Sequence, residues 1–127
     1  MKLRLKGSSL RLRVSPSELT HLQAGKSIQE RVQFSIDSRS SLDYALTVGH
    51  HRDPVQVSFV SQRILVSISE DQLTGWSRED QVGIYSSLPA GEARALEVSI
   101  EKDFACLDLS DEENLDTFEN PVAAKAC

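Results

Sequence analysis

Cysteine is scarce in this chain, and none of it is arranged to bind metal. Cys106 and Cys127 both lie late in the sequence, and neither belongs to a C-x-x-C pair. Structural zinc is therefore not expected, and in a reducing compartment the two are read as free thiols rather than a disulfide. No apolar run approaches the roughly 18 residues of a membrane-spanning helix. Met1 is followed by Lys2-Leu3-Arg4-Leu5-Lys6 instead of the apolar core of a signal peptide. The expectation is a cytoplasmic protein with no membrane association. Aromatic residues number only seven (four Phe, two Tyr, one Trp), and none alternates with the arginines. A stacking platform for nucleic acid is not expected. No Gly-x-Ser-x-Gly elbow, Gly-x-Gly-x-x-Gly turn or phosphate loop occurs.

What is present suffices for one domain. The 127 residues are 39% hydrophobic and 26% charged, close to globular averages, so neither disulfide nor metal is needed for folding. The charge is unevenly spread. Residues 1–63 carry ten Lys/Arg and five Asp/Glu; residues 64–127 carry four and fourteen. The first thirteen residues hold five basic side chains and no acid. Polarity of this kind creates surfaces of opposite sign.

Apolar and polar residues alternate along most of the chain, the signature of half-buried strands. Leu3 and Leu5 alternate with Lys2, Arg4 and Lys6; Leu10, Leu12 and Val14 alternate with Arg11 and Arg13. Gly7-Ser8-Ser9 between them reads as a hairpin turn. The leucines then share one face, and the arginines and lysines the other. Ser15-Pro16-Ser17-Glu18 has the spacing of a helix cap with proline at the first turn, and Gly25 ends that helix. Strands follow through Ile28–Ile36 and Leu42–Val48, then the polar loop 49–54. The pattern restarts with Val55–Phe59, a turn at Ser61-Gln62-Arg63, Ile64–Ile68, a second cap at Ser69-Glu70-Asp71-Gln72, and strands from Val82 and from Leu96.

An offset of 54 residues aligns Leu3 with Val57, Leu12 with Val66, Ser15 with Ser69, Leu19 with Leu73 and Leu46 with Ile100. The chain reads as two copies of strand–strand–helix–strand–strand. The expected class is mainly β: eight antiparallel strands as a closed barrel or two packed sheets, with two short helices, from a duplicated ββαββ unit. Residues 1–106 form one β-rich domain with pseudo-repeats at about 2–48 and 55–104; residues 107–127 form an acidic tail. Six acids fall between Asp108 and Glu119, and interspersed Leu107, Leu109, Leu115 and Phe118 point to partial docking. Glu30 and Lys102 each interrupt an apolar face, which is expected to expose both at strand ends.

Two segments carry a resemblance. Lys2-Leu3-Arg4-Leu5-Lys6-Gly7-Ser8-Ser9-Leu10-Arg11-Leu12-Arg13 and Ile100-Glu101-Lys102-Asp103-Phe104-Ala105-Cys106-Leu107 resemble the corresponding stretches of a family of short, uncharacterised bacterial proteins. The acidic tail ending in Asn120-Pro121 is also similar, although Glu119 stands where the family pattern has proline. The resemblance spans most of the chain and implies a bacterial source but no activity.

The basic hairpin is the candidate site. Arg4, Lys6, Arg11 and Arg13, with Lys2 beside them, suit anions because the guanidinium fork binds oxyanions bidentately. The bland reading is a solvated face that discourages edge pairing. Glu97 and Glu101, with Asp103, are candidate ligands for Mg²⁺. A charged barrel interior of arginines and glutamates is similar to the triphosphate-tunnel (CYTH-like) phosphohydrolases. The Glu-x-Glu-x-Lys motif of those enzymes is replaced here by Lys2-Leu3-Arg4-Leu5-Lys6. His50, His51 and Asp53 are read as a surface loop whose adjacent histidines point apart. The leading expectation is a non-catalytic soluble domain that binds a protein partner or a small anion through its basic face, without a cofactor. The alternative is the tunnel-type hydrolase, with Mg²⁺; homodimerisation of basic on acidic surfaces is a third reading.

Overall fold

The computed structural model describes residues 1–78, 80–104 and 116–119. Eight strands and two helices follow in the order β1 (Lys2–Lys6), β2 (Ser9–Val14), α1 (Pro16–Gln23), β3 (Ile28–Gln33), β4 (Ser41–Gly49), β5 (Val55–Val60), β6 (Arg63–Ser69), α2 (Glu70–Trp76), β7 (Gly83–Pro89) and β8 (Ala95–Lys102). They form two four-stranded sheets, sheet A in the order β1-β2-β8-β7 and sheet B in the order β3-β4-β6-β5. Among the described residues no barrel closes; of the two expected architectures, the packed sheets are the one formed.

Each hairpin pairs antiparallel, but the central joints do not. β2 runs parallel to β8, and β4 parallel to β6, so both sheets are mixed rather than wholly antiparallel. Alternation along a strand fixes which face is apolar and leaves the direction of its neighbour open. Leu10 and Leu12 present the same face to Val98 and Ile100 in either sense.

The two sheets share a plan. The offset of 54 carries the β1–β2 pair Leu3↔Leu12 onto the β5–β6 pair Val57↔Val66. It also carries the parallel pair Leu10↔Val98 onto Ile64↔Tyr44. Only β7 departs, lying 56 residues after β3: Ile28↔Leu46 corresponds to Ile84↔Ile100.

Leu12, Val14, Leu46, Val66, Ile68, Trp76 and Ile100 are fully buried between the sheets. The helices close the core. At α1, Ser15 Oγ accepts from the Glu18 N–H, and the Glu18 carboxylate accepts from the Ser15 N–H at 3.0 Å, so the cap is reciprocal. At α2, Ser69 Oγ accepts from the Gln72 N–H, and the buried Trp76 donates its indole N–H to the Val82 carbonyl at 3.1 Å. The β5–β6 turn holds Ser61 and Gln62 at φ 51° and 64°, the twist that a two-residue hairpin loop requires.

Glu30 is exposed, as expected, and lies 3.5 Å from the Met1 ammonium. Lys102 corrects the expectation: it is buried, with Nζ donating to the Arg78 carbonyl at 2.6 Å and standing 5.5 Å from the centre of the Phe118 ring. A strand end has turned inward here because a carbonyl and an aromatic face receive the ammonium. Of the acidic tail, residues 116–119 dock. The Phe118 N–H donates to the Asp103 carbonyl, its ring packs edge-on to Phe104, and Asp116 accepts from Ser17 Oγ at 2.6 Å. Both cysteines and the remainder of the tail lie outside the described residues.

Candidate functional site

The β1–β2 hairpin turns Leu10 and Leu12 into the core, with Leu3 packed against it and Leu5 left exposed, and sets its basic residues on the opposite face. The parallel joint to β8 then sets an acidic, hydroxyl-bearing strip beside them. Across the outer face of sheet A the Cα ladder reads Lys2–Arg13–Glu101–Gly83, then Arg4–Arg11–Ser99–Tyr85, then Lys6–Ser9–Glu97–Ser87. All the basic candidates and both carboxylate candidates thus share one open face.

Their partners divide them. Arg11 Nε lies 3.1 Å from Glu101 Oε1, and the Tyr85 hydroxyl donates to Glu101 Oε2 at 2.7 Å. Burial, the hydrogen bond to Glu101 and its negative charge push the Tyr85 phenol up to about 12. Lys2 Nζ pairs with Asp103 at 2.9 Å. Among the described residues, Arg4, Lys6 and Arg13 form no ion pair. Arg4 stands directly opposite Arg11, and a pocket of about 190 Å³ opens between Arg4, Lys6, Ser9, Leu10, Arg11 and Ser99.

Glu97 and Glu101 are four residues apart on β8, about 13 Å along a strand. They are engaged separately, Glu97 by Ser87 Oγ at 2.9 Å and Glu101 by Arg11 and Tyr85. Among the described residues, no three His, Cys, Asp or Glu side chains gather as a metal-holding group. The charged candidates surround no enclosed interior, because the space between the sheets is filled with aliphatic side chains and Trp76.

The adjacent histidines do point apart: His50 Nδ1 lies 3.0 Å from Glu70, while His51 turns to Ser67 and to the Asp53 carbonyl. One groove escaped the sequence reading. It holds about 620 Å³ and is lined by residues of β5 and β7, the edge strands of the two sheets, together with Leu65 and Ser67 of β6. Only pairing partners could have revealed it, since no local motif marks a space between two edges.

These features define a mixed two-sheet β domain with an outward basic pocket and a separate groove between edge strands. The chain belongs to a family of unknown function, DUF7009, whose model matches residues 1–122. Searches of curated proteins and of solved structures found no match. No helix among the described residues is long and apolar enough to cross a membrane.

Proposed function

We propose that this soluble, cytoplasmic domain binds an oxyanion, such as the phosphate end of a small ligand, in the pocket between Arg4, Lys6 and Arg11. The observation that carries the reading is a pair of cations, Arg4 and Lys6, that form no ion pair among the described residues and converge with Arg11 on one small concavity. Like charges set opposite each other on a ladder destabilise the free protein. An anion between them removes that repulsion, and the Ser9 and Ser99 hydroxyls add neutral donors. A space of about 190 Å³ is below the range of drug-sized sites and suits a charged group rather than a whole nucleotide. The pocket holds no nucleophile–base pair, so it binds without doing chemistry. An acidic protein surface is the second source of the same chemistry.

The tunnel-type hydrolase reading, by contrast, needs an enclosed charged interior. The matching registers of the two sheets support an origin in one duplicated ββαββ unit; halves of an experimental structure that failed to superpose would contradict it.

The reading is tested by thermal shift of the purified protein with sulfate, phosphate, pyrophosphate and triphosphate, each with and without Mg²⁺. A ligand at ~100 times its dissociation constant adds about 2.7 kcal/mol of stability. A shift that grows with phosphate number, without Mg²⁺, is expected. A shift seen only with Mg²⁺ and triphosphate would favour the hydrolase instead. No shift with any anion would leave an acidic protein surface as the remaining ligand for this face.

A further inference from the structure

The same ladder positions carry different chemistry in the two sheets. Lys2, Arg4, Arg11 and Arg13 of sheet A correspond to Gln56, Ser58, Leu65 and Ser67 of sheet B. All four of the latter line the groove of about 620 Å³. The loop before β5 adds Asp53 to the groove lining and brings a histidine against Ser67. His51 Nε2 lies 2.8 Å from Ser67 Oγ, and Nδ1 lies 2.7 Å from the Asp53 backbone carbonyl. A carbonyl oxygen only accepts, so Nδ1 carries the proton and donates. In the neutral ring Nε2 is then unprotonated and accepts from the Ser67 hydroxyl. The backbone has thus fixed the tautomer that a general base requires.

Gly49 makes this approach feasible. A Cβ there would sit 2.6 Å from both His51 Cδ2 and Ser67 Oγ, so any side chain at this position pushes the two apart. Gln56 is the Cα partner of Ser67 across the β5–β6 ladder. Its amide donates to Asp53 Oδ2 at 3.2 Å and has a second N–H left to offer. Val55, Val57 and Leu88 give the groove apolar wall, and its volume lies in the range of small-ligand sites.

We infer that Ser67 and His51 form a nucleophile–base pair that cleaves carboxylic esters with short aliphatic acyl groups. This goes beyond the oxyanion pocket and departs from the expectation of a non-catalytic domain. Ser67 Oγ attacks the ester carbonyl carbon as its proton passes to His51 Nε2. The C–O bond to the alcohol breaks, and the alcohol leaves with that proton. Water then attacks the acyl-serine, giving one proton to His51, and Ser67 recovers it as the carboxylic acid departs. No oxidant, metal or co-reactant is required. Gln56 is positioned to donate to the carbonyl oxygen as charge develops there.

The test is covalent labelling of the full chain with an alkyl fluorophosphonate, located by peptide mass spectrometry, alongside hydrolysis of p-nitrophenyl butyrate. Labelling at Ser67 is expected, absent in Ser67→Ala and at least ~100-fold slower in His51→Gln, the size of a lost general base. Gly49→Ala, which displaces His51 without removing it, should slow labelling comparably. Circular dichroism establishes that each variant is folded, and Ser35→Ala, an exposed serine beyond the end of β3 and outside the groove lining, should label like the wild type. No adduct at Ser67, an adduct only at other serines, or labelling of Ser67 unaffected by both His51→Gln and Gly49→Ala would overturn the inference.

Discussion

Replacing Arg4 by glutamine should stabilise the free protein while weakening its hold on anions. Arg4 and Arg11 are direct Cα partners on the antiparallel β1–β2 ladder, and both point outward. Like charges so placed cost ~0.2–1 kcal/mol. Arg11 is partly neutralised by Glu101 at 3.1 Å, which puts the expected gain near ~0.5 kcal/mol. With a urea m-value of ~1–3 kcal/mol/M, this raises the denaturation midpoint by about 0.3 M. The gain should be present at ~0.01 M ionic strength, where the screening length is ~30 Å, and vanish at ~1 M, where it is ~3 Å. Arg11→Gln should do the opposite and lower the midpoint, because it removes the partner of a half-buried carboxylate. Parallel urea titrations of the three proteins at both salt concentrations decide the matter. If Arg4→Gln lowers the midpoint at low salt, Arg4 is a structural residue with a stabilising partner, and the reasoning that makes the pocket a binding site fails.

Other consequences follow from the same geometry. The Tyr85 phenol is pushed up to about 12 in the folded chain, so its neutral form stabilises the fold below the ordinary tyrosine pKa of ~10 and that contribution is lost as pH rises from ~10 through 12. Urea midpoints of the wild type should fall over this window more steeply than those of Tyr85→Phe; equal slopes would refute the assignment. Ser15→Ala should cost ~1–2 kcal/mol and Ser69→Ala about 1, because Glu18 returns a bond to Ser15 whereas Ser69 only accepts from Gln72. The reverse order in chemical denaturation would contradict that reading of the caps. Trp76→Phe should cost ~2–3 kcal/mol, combining the hydrogen bond to the Val82 carbonyl with the volume lost from a fully buried site. A loss under ~1 kcal/mol would show that the surroundings collapse around the smaller ring.

The strands and helices were legible because their signals are local. Period-two alternation marked all eight strands, and Ser15-x-x-Glu18 and Ser69-x-x-Gln72 marked both helix starts. Pairing was not legible, since Leu10 and Leu12 suit any apolar neighbour, and so the parallel joints to β8 and between β4 and β6 appear only in three dimensions. Alternation also overstated the core. Leu5, Val32 and Phe59 alternate correctly yet remain 39–67% exposed on the edge strands β1, β3 and β5, and Phe34, 66% exposed, lies beyond the end of β3. At the candidate site, the shared face of Arg4, Lys6, Arg11 and Arg13 could be read from the hairpin alone. That Arg11 is neutralised by Glu101, while Arg4 forms no ion pair among the described residues, depends on which strand lies beside β2. The Ser67–His51 contact joins residues sixteen apart through a loop, so neither residue type nor spacing distinguished Ser67 from the other serines.

Amide chemical shifts locate a bound anion most directly. Titrating inorganic triphosphate into the isotope-labelled protein without Mg²⁺ should shift the amides of Arg4, Lys6, Ser9, Arg11 and Ser99, saturably, and Arg4→Gln should weaken the response. Shifts centred elsewhere, or a non-saturating drift across every basic residue, would contradict a built site on the outer face of sheet A.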